Sequence, residues 1–403
     1  MRATTVLNKL LRLPGLWVRG LRFEHEMLIV GIKSRSRKPT CPRCGWRARG
    51  RFEIKTRQWR HVAIGGIRTV LEGPIRRLRC QRVVTEQVPW ARHGSRFTRS
   101  FEGITAYLAQ NLPKTKVVQL LGIAWETVGS IAGRMVQEQL SERRFDGLRR
   151  IGVDEISYRR HHKHLTVVVN HDTGHVVWVA EGKSSEVLRS FFEELGSERL
   201  AQIQVVSLDL SAAYQKAIRE AVPGAEMVFD KFHIAQLAQR ALDEVRREIQ
   251  RNLSNDARKP LKKPRWALLK NPDRLTDKET EKLAGIQQHN EPLYRGLPAQ
   301  REPTRQSGNP HAKHAEWELR SWLQWACRCR LKPFVRLSRT VRKHLDGILR
   351  ASITGLTNAR LEAMNSNIRI LNHRARGFHH PQNLIAMVYL CCSRIQVATP
   401  RLG

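Results

Sequence analysis

The stretch Ile151-Gly152-Val153-Asp154-Glu155 decides the fold class of this chain, because it is a short apolar strand that ends in an acidic residue. The stretch Ile203-Gln204-Val205-Val206-Ser207-Leu208-Asp209 has the same form. Its continuously apolar centre is typical of a strand buried inside an α/β sheet. An acid at the carboxyl end of such a strand faces the crevice where open α/β sheets usually bind ligands. We therefore predict that Asp154 and Asp209 line one crevice.

The segments around these two stretches predict the rest of the sheet. Two apolar runs, residues 164–170 and 175–180, flank the turn His171-Asp172-Thr173-Gly174, which is a hairpin signal. Further along the chain we predict helices and a strand at residues 186–195 (helix), 212–222 (helix), 226–229 (strand) and 232–253 (helix). Three antiparallel strands followed by helices alternating with two further strands is the order of an RNase H-like mixed sheet.

A third acid, Glu362, lies on a predicted helix in Asn358-Ala359-Arg360-Leu361-Glu362-Ala363-Met364-Asn365. Apolar residues at helical spacing form one stripe, and polar residues including Glu362 form the neighbouring face. The helix is therefore expected to pack on the sheet while Glu362 reaches the crevice. Any one acid taken alone is more often a solvated strand end or an ion-pair partner, but three in this order favour a metal site. Glu155, beside Asp154, is expected to point to the other face of its strand.

The overall charge indicates the substrate class. The chain has 403 residues, with 72 Lys and Arg against 36 Asp and Glu, which gives a formal net charge of +36. Arginine is spread along the whole length, so we expect an extended surface that binds a polyanion. Phosphodiester chemistry needs two Mg²⁺ ions, for which Mn²⁺ can substitute, held by bridging carboxylates. We predict that Asp154, Asp209 and Glu362 hold these ions, with Asp209 shared between them, and that the chain cuts or joins nucleic acid.

The sequence argues against a membrane protein and against a secreted protein held by disulfides. It contains no apolar run of about 18 residues, so we expect no membrane-spanning helix, and the N-terminus lacks a signal-peptide pattern. The seven cysteines are odd in number and clustered in pairs, which is not a disulfide framework. A reducing cytoplasmic location is the expectation.

Residues 114–131 have the pattern of a helix-turn-helix. One short helix ends at Leu121-Gly122 and a second begins near Ala124 or Trp125, and a glycine between two short amphipathic helices is the usual signal of this motif. The second helix would enter the major groove of DNA, although any helical hairpin with a glycine turn has the same pattern. The residues that we predict to contact DNA are Lys114, Lys116, Trp125 and Thr127, with Arg369, Arg374 and Arg376 further on.

The stretch Cys41-Pro42-Arg43-Cys44-Gly45 is a knuckle typical of zinc ribbons. Cys80 is a candidate third ligand, but Val83 occupies the place where a second knuckle would have its other cysteine. Either His61 or His93 could complete a zinc site. A metal-free ribbon held by its apolar residues is the alternative.

These patterns divide the chain into five segments. They are a zinc-ribbon-like module of small β elements at 1–100, a helix-turn-helix domain at 101–147, the first part of an RNase H-like core at 148–255, a helical insertion at 256–350 and the last part of the core at 351–403.

Taken together, these residues resemble a DDE transposase of the bacterial ISL-three insertion-sequence family. The resemblance covers nearly the whole chain and rests on the knuckle, the helix-turn-helix and the stretches Trp59-Arg60-His61, Arg76-Arg77-Leu78-Arg79-Cys80, Ile151-Gly152-Val153-Asp154-Glu155, Ser207-Leu208-Asp209, Phe229-Asp230-Lys231-Phe232-His233, Thr357 to Asn365 and Arg374-Ala375-Arg376-Gly377-Phe378. It implies binding to the terminal inverted repeats of a mobile element and Mg²⁺-dependent end cleavage and strand transfer to target DNA. It also implies action as a homo-oligomer on DNA, in the nucleoid of a bacterial cytoplasm.

The resemblance assigns roles to five residues. Asp154, Asp209 and Glu362 match the metal-binding acids of the family, and Asp230 and His233 match its Asp-x-x-His segment, which implies a place near the site. Val83 departs from the family pattern, since similar proteins usually carry a second cysteine pair around Cys80. Two rival functions stay open: a DNA-binding regulator or decayed transposase without catalysis, and a nuclease that cuts without joining.

Overall fold

The computed structural model describes residues 2–11, 13–159, 163–251, 275–289, 312–354, 356, 359–378 and 380–399. The chain divides into two compact units. Unit 1 contains residues 1–141 and 370–403, and unit 2 contains residues 142–369. Among the described residues, no helix is both long enough and apolar enough to cross a bilayer.

Unit 1 begins with helix α1 (Ala3–Leu11) and a five-stranded sheet. The strands are β1 (Leu16–Glu24), β2 (Met27–Ser34), β3 (Glu53–Arg60), β4 (Arg68–Arg79) and β5 (Val83–Thr85). The order is β1-β2-β4-β3, with β5 paired to β4. Trp59 and Trp90 are buried against each other in an edge-to-face contact, with ring centroids 5.6 Å apart, and anchor the core on one face of this sheet.

Three helices follow the sheet in unit 1. They are α2 (Arg99–Asn111), α3 (Lys114–Leu121) and α4 (Trp125–Gln139). Between α3 and α4, Gly122 takes a left-handed conformation with φ of 55°, which glycine adopts without a side-chain clash. The bounds of α3 and α4 confirm the predicted helix-turn-helix.

Unit 2 contains a second, mixed five-stranded sheet in the order β10-β9-β6-β7-β8. Its strands are β6 (Arg150–Arg159), β7 (Lys163–Asn170), β8 (Val176–Glu181), β9 (Val205–Leu208) and β10 (Glu226–Phe229). Strands β6, β7 and β8 are antiparallel neighbours, whereas β9 pairs parallel to both β6 and β10. The predicted strand and hairpin order is therefore present.

The helices of unit 2 cover this sheet. A short 3₁₀ turn (Glu142–Phe145) precedes them, and they are α5 (Ser185–Leu195), α6 (Ser197–Leu200), α7 (Ala212–Ala221), α8 (Lys231–Arg251), α9 (Asp277–His289), α10 (Ala312–Arg328), α11 (Lys332–Lys343) and α12 (Leu345–Thr354). The described residues of the predicted insertion at 256–350 form helices with short connections, and residues 256–274 and 290–311 lie outside the described residues. Its Trp322 and Phe334 belong to the same buried core as Ile151 and Val206 of the sheet, so the insertion helices share one core with the strands.

Helix α13 (Ala359–Arg374) contains the boundary between the two units, between Arg369 and Ile370. The last helix, α14 (Pro381–Cys392), belongs to unit 1 and packs on α4. The side-chain amide of Gln110 on α2 donates a 2.6 Å hydrogen bond to the carbonyl oxygen of Leu390. By its contacts α14 therefore groups with unit 1, whereas the assignment of residues 351–403 to the catalytic core stays a prediction.

The sequence pattern predicted that β6 ends at Asp154-Glu155, and this prediction is wrong. The strand continues beyond Asp154 to Arg159, and Ile156 and Tyr158 are buried while Ser157 and Arg159 are exposed. This alternation keeps the strand paired with β7 beyond the acid. Asp154 therefore lies in the middle of its strand, at the point where the parallel pairing to β9 ends.

Candidate active site and DNA-binding elements

The register of the unit 2 sheet brings Asp154 and Asp209 to the same level. Three pairs join β6 to β9, from Arg150 with Val205 to Gly152 with Ser207, each with an offset of 55 residues (205 − 150). Asp209 follows Asp154 by the same 55 residues (209 − 154) and comes directly after β9. Level residues on neighbouring strands lie about 4.8 Å apart and point to the same face. The two half-buried carboxylates therefore neighbour each other at one end of the paired strands.

The electrostatics of Asp154 agree with this placement. Its pKa is raised, mainly by burial and further by the negative charge of Asp209. The backbone N–H of Glu155, the amide of Asn365 and the charge of His233 act in the opposite direction. A desolvated carboxylate next to a second carboxylate is a place where a cation binds favourably. Asp209 also accepts a 2.9 Å hydrogen bond from the backbone N–H of Ser211.

The register of β10 and β9 also makes Asp230 level with Asp209. Phe229 pairs with Leu208 across β10 and β9, at an offset of 21 residues (229 − 208), and Asp230 follows Asp209 by the same 21 (230 − 209). The backbone N–H of Asp230 bonds the carbonyl oxygen of Leu208 at 3.3 Å. His233 lies in the first turn of α8, close enough for its charge to lower the pKa of Asp154. Both half-buried residues of the Asp-x-x-His segment thus lie at the acidic end of the strands.

Helix α13 is held on the sheet by contacts at its first two turns. Gly152 of β6 lies beneath Leu361, where an added Cβ would come within 2.1 Å of the leucine methyl group. The guanidinium of Arg360 donates to the carbonyl oxygen of His171. The side-chain amide of Asn365, which is buried, donates a 2.5 Å hydrogen bond to Oδ2 of Asp154. A larger residue at position 152 would therefore have to displace the side chains of Leu361 and His171.

These contacts set the position of Glu362. It is exposed, comes directly after Leu361, and lies one turn before Asn365 on the same side of α13. Asn365 was not among the predicted site residues. Its hydrogen bond to Asp154 identifies it as part of the site. The three carboxylates of Asp154, Asp209 and Glu362 are not all within 4.8 Å of one another. Repulsion between like charges favours such a separation.

Three cysteines of unit 1 do come together at that distance. The sulfur atoms of Cys41, Cys44 and Cys80 all lie within 4.8 Å of one another, and those of Cys44 and Cys80 are 3.6 Å apart. Within the described part of the chain, no other group of three His, Cys, Asp or Glu side chains is as close. Hydrogen bonds from the backbone N–H groups of Cys44 and Arg43 lower the pKa of Cys41, which favours the thiolate that binds metals.

The histidines considered as a fourth ligand do not join this group. His61 is buried and its Nδ1 is 2.9 Å from the hydroxyl oxygen of Thr98. Burial lowers the pKa of His61 to about 4. His93 is also outside the cysteine cluster. Val83 pairs with Arg79 in the β4–β5 ladder, so the position of a second knuckle is part of the sheet.

Comparison with known proteins assigns each of these regions. Residues 151–388 match a family model described as a transposase, and residues 86–134 match the helix-turn-helix domain of transposase family ISL3. Residues 37–82 match the zinc-finger of the transposases of IS204, IS1001, IS1096 and IS1165. The chain belongs to the ISL3 transposase family.

Two named relatives of this transposase come from different organisms. A transposase for insertion sequence element IS1557 from Mycobacterium tuberculosis is 37% identical over 382 residues, which covers 87% of this chain and 85% of the relative. A transposase for insertion sequence element IS1001 from Bordetella parapertussis is 27% identical over 357 residues, covering 87% of this chain and 88% of the relative. The similarity therefore extends over both units.

The transposase has a buried ionic network that joins its DNA-binding helices. Glu102 on α2 is 0% exposed. Its carboxylate accepts hydrogen bonds from Arg92 at 2.8 Å, from Arg134 on α4 at 2.6 Å and from the Ser95 hydroxyl at 2.7 Å. Glu102 lies on α2 and Arg134 on α4, so this network joins the two helices within unit 1.

The turn between α3 and α4 is hydrogen-bonded to the five-stranded sheet of unit 1. Arg60, at the end of β3, donates to the carbonyl oxygen of Gly122 at 2.8 Å and also to that of Leu121. These carbonyl groups end α3, where the negative pole of the helix favours a cation. Arg60 therefore fixes the sheet and the DNA-binding helices relative to each other within unit 1, a role that the sequence did not predict.

The predicted DNA-contact residues are placed differently from one another. Lys116, Arg369, Arg374 and Arg376 are exposed, and Trp125 and Thr127 are half-buried. Lys114, in contrast, is buried, with its ammonium 4.6 Å from the centroid of the Trp125 ring, and burial lowers its pKa to about 8. Lys114 therefore packs inside the helical unit, and the prediction that it contacts DNA stays untested.

Proposed function

We propose that this transposase cleaves the ends of its insertion sequence and joins them to target DNA, with Asp154, Asp209 and Glu362 as the metal-binding acids. The observation that carries the proposal is the common register of Asp154 and Asp209 at the end of the parallel strands. The hydrogen bond from Asn365 to Asp154 supports a place for Glu362 at the same site, because both residues lie on one side of α13.

We also propose that unit 2 has an RNase H-like fold. Support comes from the strand order, in which three antiparallel strands precede two strands added in parallel at the β6 edge of the hairpin sheet. The helical segment between β10 and α13 corresponds to an insertion before the glutamate. In such a sheet the acids at the ends of the central strands face one crevice.

The donor atoms of the site suit a hard divalent cation. Carboxylate oxygens are the ligands that Mg²⁺ and Mn²⁺ take, and the raised pKa of Asp154 reflects a desolvated negative site that a cation would stabilise. When bound, two such ions lower the pKa of an attacking water or 3′-hydroxyl and neutralise charge on the leaving oxygen.

The residues around the acids position them. Asn365 and the backbone N–H of Glu155 fix the two oxygens of Asp154, so that this carboxylate has one rotamer. The backbone N–H of Ser211 fixes Asp209. Asp230 and His233 lie at the rim, where His233 offsets part of the negative charge near Asp154. In this proposal the amide of Asn365 keeps the carboxylate oriented between turnovers.

Recognition of the DNA ends is proposed for the exposed groups of the helix-turn-helix. Lys116 and the first turn of α4, with Trp125 and Thr127, face solvent at least in part. Arg374 and Arg376 extend the exposed basic surface of unit 1, and Arg369 that of unit 2. Lys114 is left out of this set because of its burial.

We further propose that Cys41, Cys44 and Cys80 bind one Zn²⁺ ion. Three sulfur atoms at mutual ligand distance suit the tetrahedral, thiolate-rich coordination of zinc, with a fourth position taken by a group other than a described histidine or cysteine. The zinc content of the purified transposase is expected to be about one per chain and to fall to near zero in Cys80→Ser. An unchanged content in that variant would contradict the assignment.

A strand-transfer assay tests the proposed reaction. Labelled DNA carrying a pre-cut element end, supplied with Mg²⁺ and a target plasmid, is expected to yield joined products that chelation by EDTA abolishes. Products that are only hydrolysed would favour a nuclease. Tight binding of the element end without any cleavage or joining would favour a regulator. Joined products from the pre-cut end are the outcome that distinguishes a transposase from both.

A further inference from the structure

Helix α11 presents a row of cations to solvent. Lys332, Arg336, Arg339 and Lys343 are all exposed and follow one another at intervals of four, three and four residues. At 3.6 residues per turn these side chains lie on one side of the helix, and the row is about 16 Å long. We call these four residues the basic stripe. The basic stripe belongs to unit 2, whereas the helix-turn-helix belongs to unit 1.

The basic stripe is a regular row of cations with no acid among them, because α11 contains no Asp or Glu. Some other exposed basic residues of the unit pair with an acid on the same or a neighbouring helix: Arg189 with Glu220, Lys216 with Glu220, Arg247 with Asp243 and Arg320 with Glu316. Within the stripe, Arg336 pairs with Glu244 of α8 at 2.5 Å. The other three form no ion pair with any described residue.

This arrangement costs stability in the free protein. Like charges three and four residues apart on a helix repel each other by about 0.2–0.5 kcal/mol per pair. Lys332 is also in the first turn, where the positive pole of the helix disfavours a cation. A surface that was selected only for folding would interleave acids, as α10 does. A bound polyanion offsets the repulsion.

The opposite face of α11 is fixed in the core. Phe334, Leu337, Ser338 and Val341 are buried, and the helix packs against α8 and α10. The Trp325 ring of α10 contacts Phe334 edge-to-face, with centroids 5.8 Å apart. The backbone of the stripe is therefore held in place by the core, so that binding requires ordering of its side chains only.

A concave site continues the stripe at its C-terminal end. Lys343 lines a cavity of about 450 Å³ together with Arg219 of α7 and Arg350 of α12. The charges of Lys343 and Arg219 add to the effect of burial and lower the pKa of His344, which shows that both cations lie near this ring. Glu226, which pairs with Arg350, and Asp346 line the same cavity, so its lining carries three cations and two acids.

We propose that the basic stripe binds the sugar–phosphate backbone of duplex DNA, as a contact separate from the helix-turn-helix. The inference rests on the proposed function, since it takes DNA as the substrate. Duplex DNA carries roughly ten phosphate charges over about 16 Å of its axis. A rigid row of four cations matches such a line of charge without reading its sequence, so this contact is expected to hold flanking or target DNA regardless of sequence.

The test is the salt dependence of DNA binding by the full-length protein. The triple variant Lys332→Gln, Arg339→Gln and Lys343→Gln keeps the pair of Arg336 with Glu244 and removes three positive charges. Binding to a mixed-sequence duplex without element ends is measured by fluorescence anisotropy at several salt concentrations. Each lost phosphate contact reduces the slope of log affinity against log salt by about 0.9, so the slope is expected to become shallower by about 2.7.

A matched control removes the same charge from elsewhere in unit 2, with Arg189→Gln, Lys216→Gln and Arg320→Gln. This control is expected to change the slope by less than about 0.9, the value for one phosphate contact. A charge-retaining variant, Lys332→Arg, Arg339→Lys and Lys343→Arg, is expected to keep the wild-type slope, which separates loss of charge from loss of folding. If the stripe and control variants change the slope equally, the stripe proposal is overturned while the transposase function stands. If the wild-type protein binds no DNA, both are overturned.

Discussion

Asp209→Asn is expected to reduce DNA end cleavage and strand transfer by about 10³-fold or more, or roughly 4 kcal/mol of transition-state stabilisation. Asp209 is level with Asp154 on the neighbouring strand, and its charge contributes to the raised pKa of Asp154. The asparagine keeps an oxygen for the hydrogen bond from the Ser211 N–H, so the turn after β9 stays intact. Only the capacity to hold a divalent cation is lost.

The measurement is the rate of joining of a pre-cut element end in the presence of Mg²⁺, with end binding followed separately by anisotropy. Binding is expected to stay at the wild-type level, because the helix-turn-helix belongs to the other compact unit. Glu155→Gln is the matched control, since it removes the same charge from the neighbour of Asp154. Glu155 lies 3.8 Å from the ammonium of Lys183, and its replacement is expected to leave the rate within a few-fold of wild type. Wild-type joining by Asp209→Asn would remove Asp209 from the active site.

Glu102→Ala is expected to destabilise the DNA-binding unit by about 3–5 kcal/mol, because it removes a buried carboxylate, leaves Arg134 without a counter-ion and leaves Arg92 with Glu138 alone. Glu102 is 0% exposed, and its partners Arg92 and Arg134 have side-chain exposures of 11% and 27%. The carboxylate joins α2 to α4, so sequence-specific binding of element ends should fall along with the stability.

Hydrogen exchange of the backbone amides in α2 and α4 measures this loss locally, which avoids the assumption that two units unfold as one. Glu138→Ala is a matched control, since Glu138 also pairs with Arg92 but its side chain is 38% exposed. Surface pairs of this kind contribute about 0–1 kcal/mol. Equal effects of the two substitutions on exchange would show that burial of Glu102 is not the cause.

Much of the candidate site could be predicted because its signals are local. The apolar run that ends before Asp209 and the glycine at position 122 each have a meaning that depends on a few neighbouring residues. The bounds of β9 and β10, the end of α3 and the start of α4 accordingly agree with the sequence pattern to within one or two residues. The roles of Asp154, Asp209 and Glu362 as metal ligands remain predictions that the proposed variants test.

Other features could not be predicted, because they depend on contacts between distant segments. Lys114 is buried with its ammonium beside the ring of Trp125, whereas the sequence pattern predicted a residue that contacts DNA. The place of α14 in unit 1 depends on packing against α4, more than 240 positions earlier in the chain (381 − 139 = 242). No local pattern distinguishes this helix from one that completes the catalytic sheet.

By itself, the sequence determined the order of strands and helices in unit 2, the basic character of the surface and the place of Asp209 directly after its strand. These properties follow from the periodicity of apolar residues and from composition, neither of which depends on the tertiary fold. Only the tertiary structure decided that Leu361 lies over Gly152, that Asn365 binds Asp154 and that Glu102 is an internal counter-ion. The physical reason is that burial and hydrogen bonding are properties of pairs, and each of these partners is brought into contact by the packing of whole helices and strands.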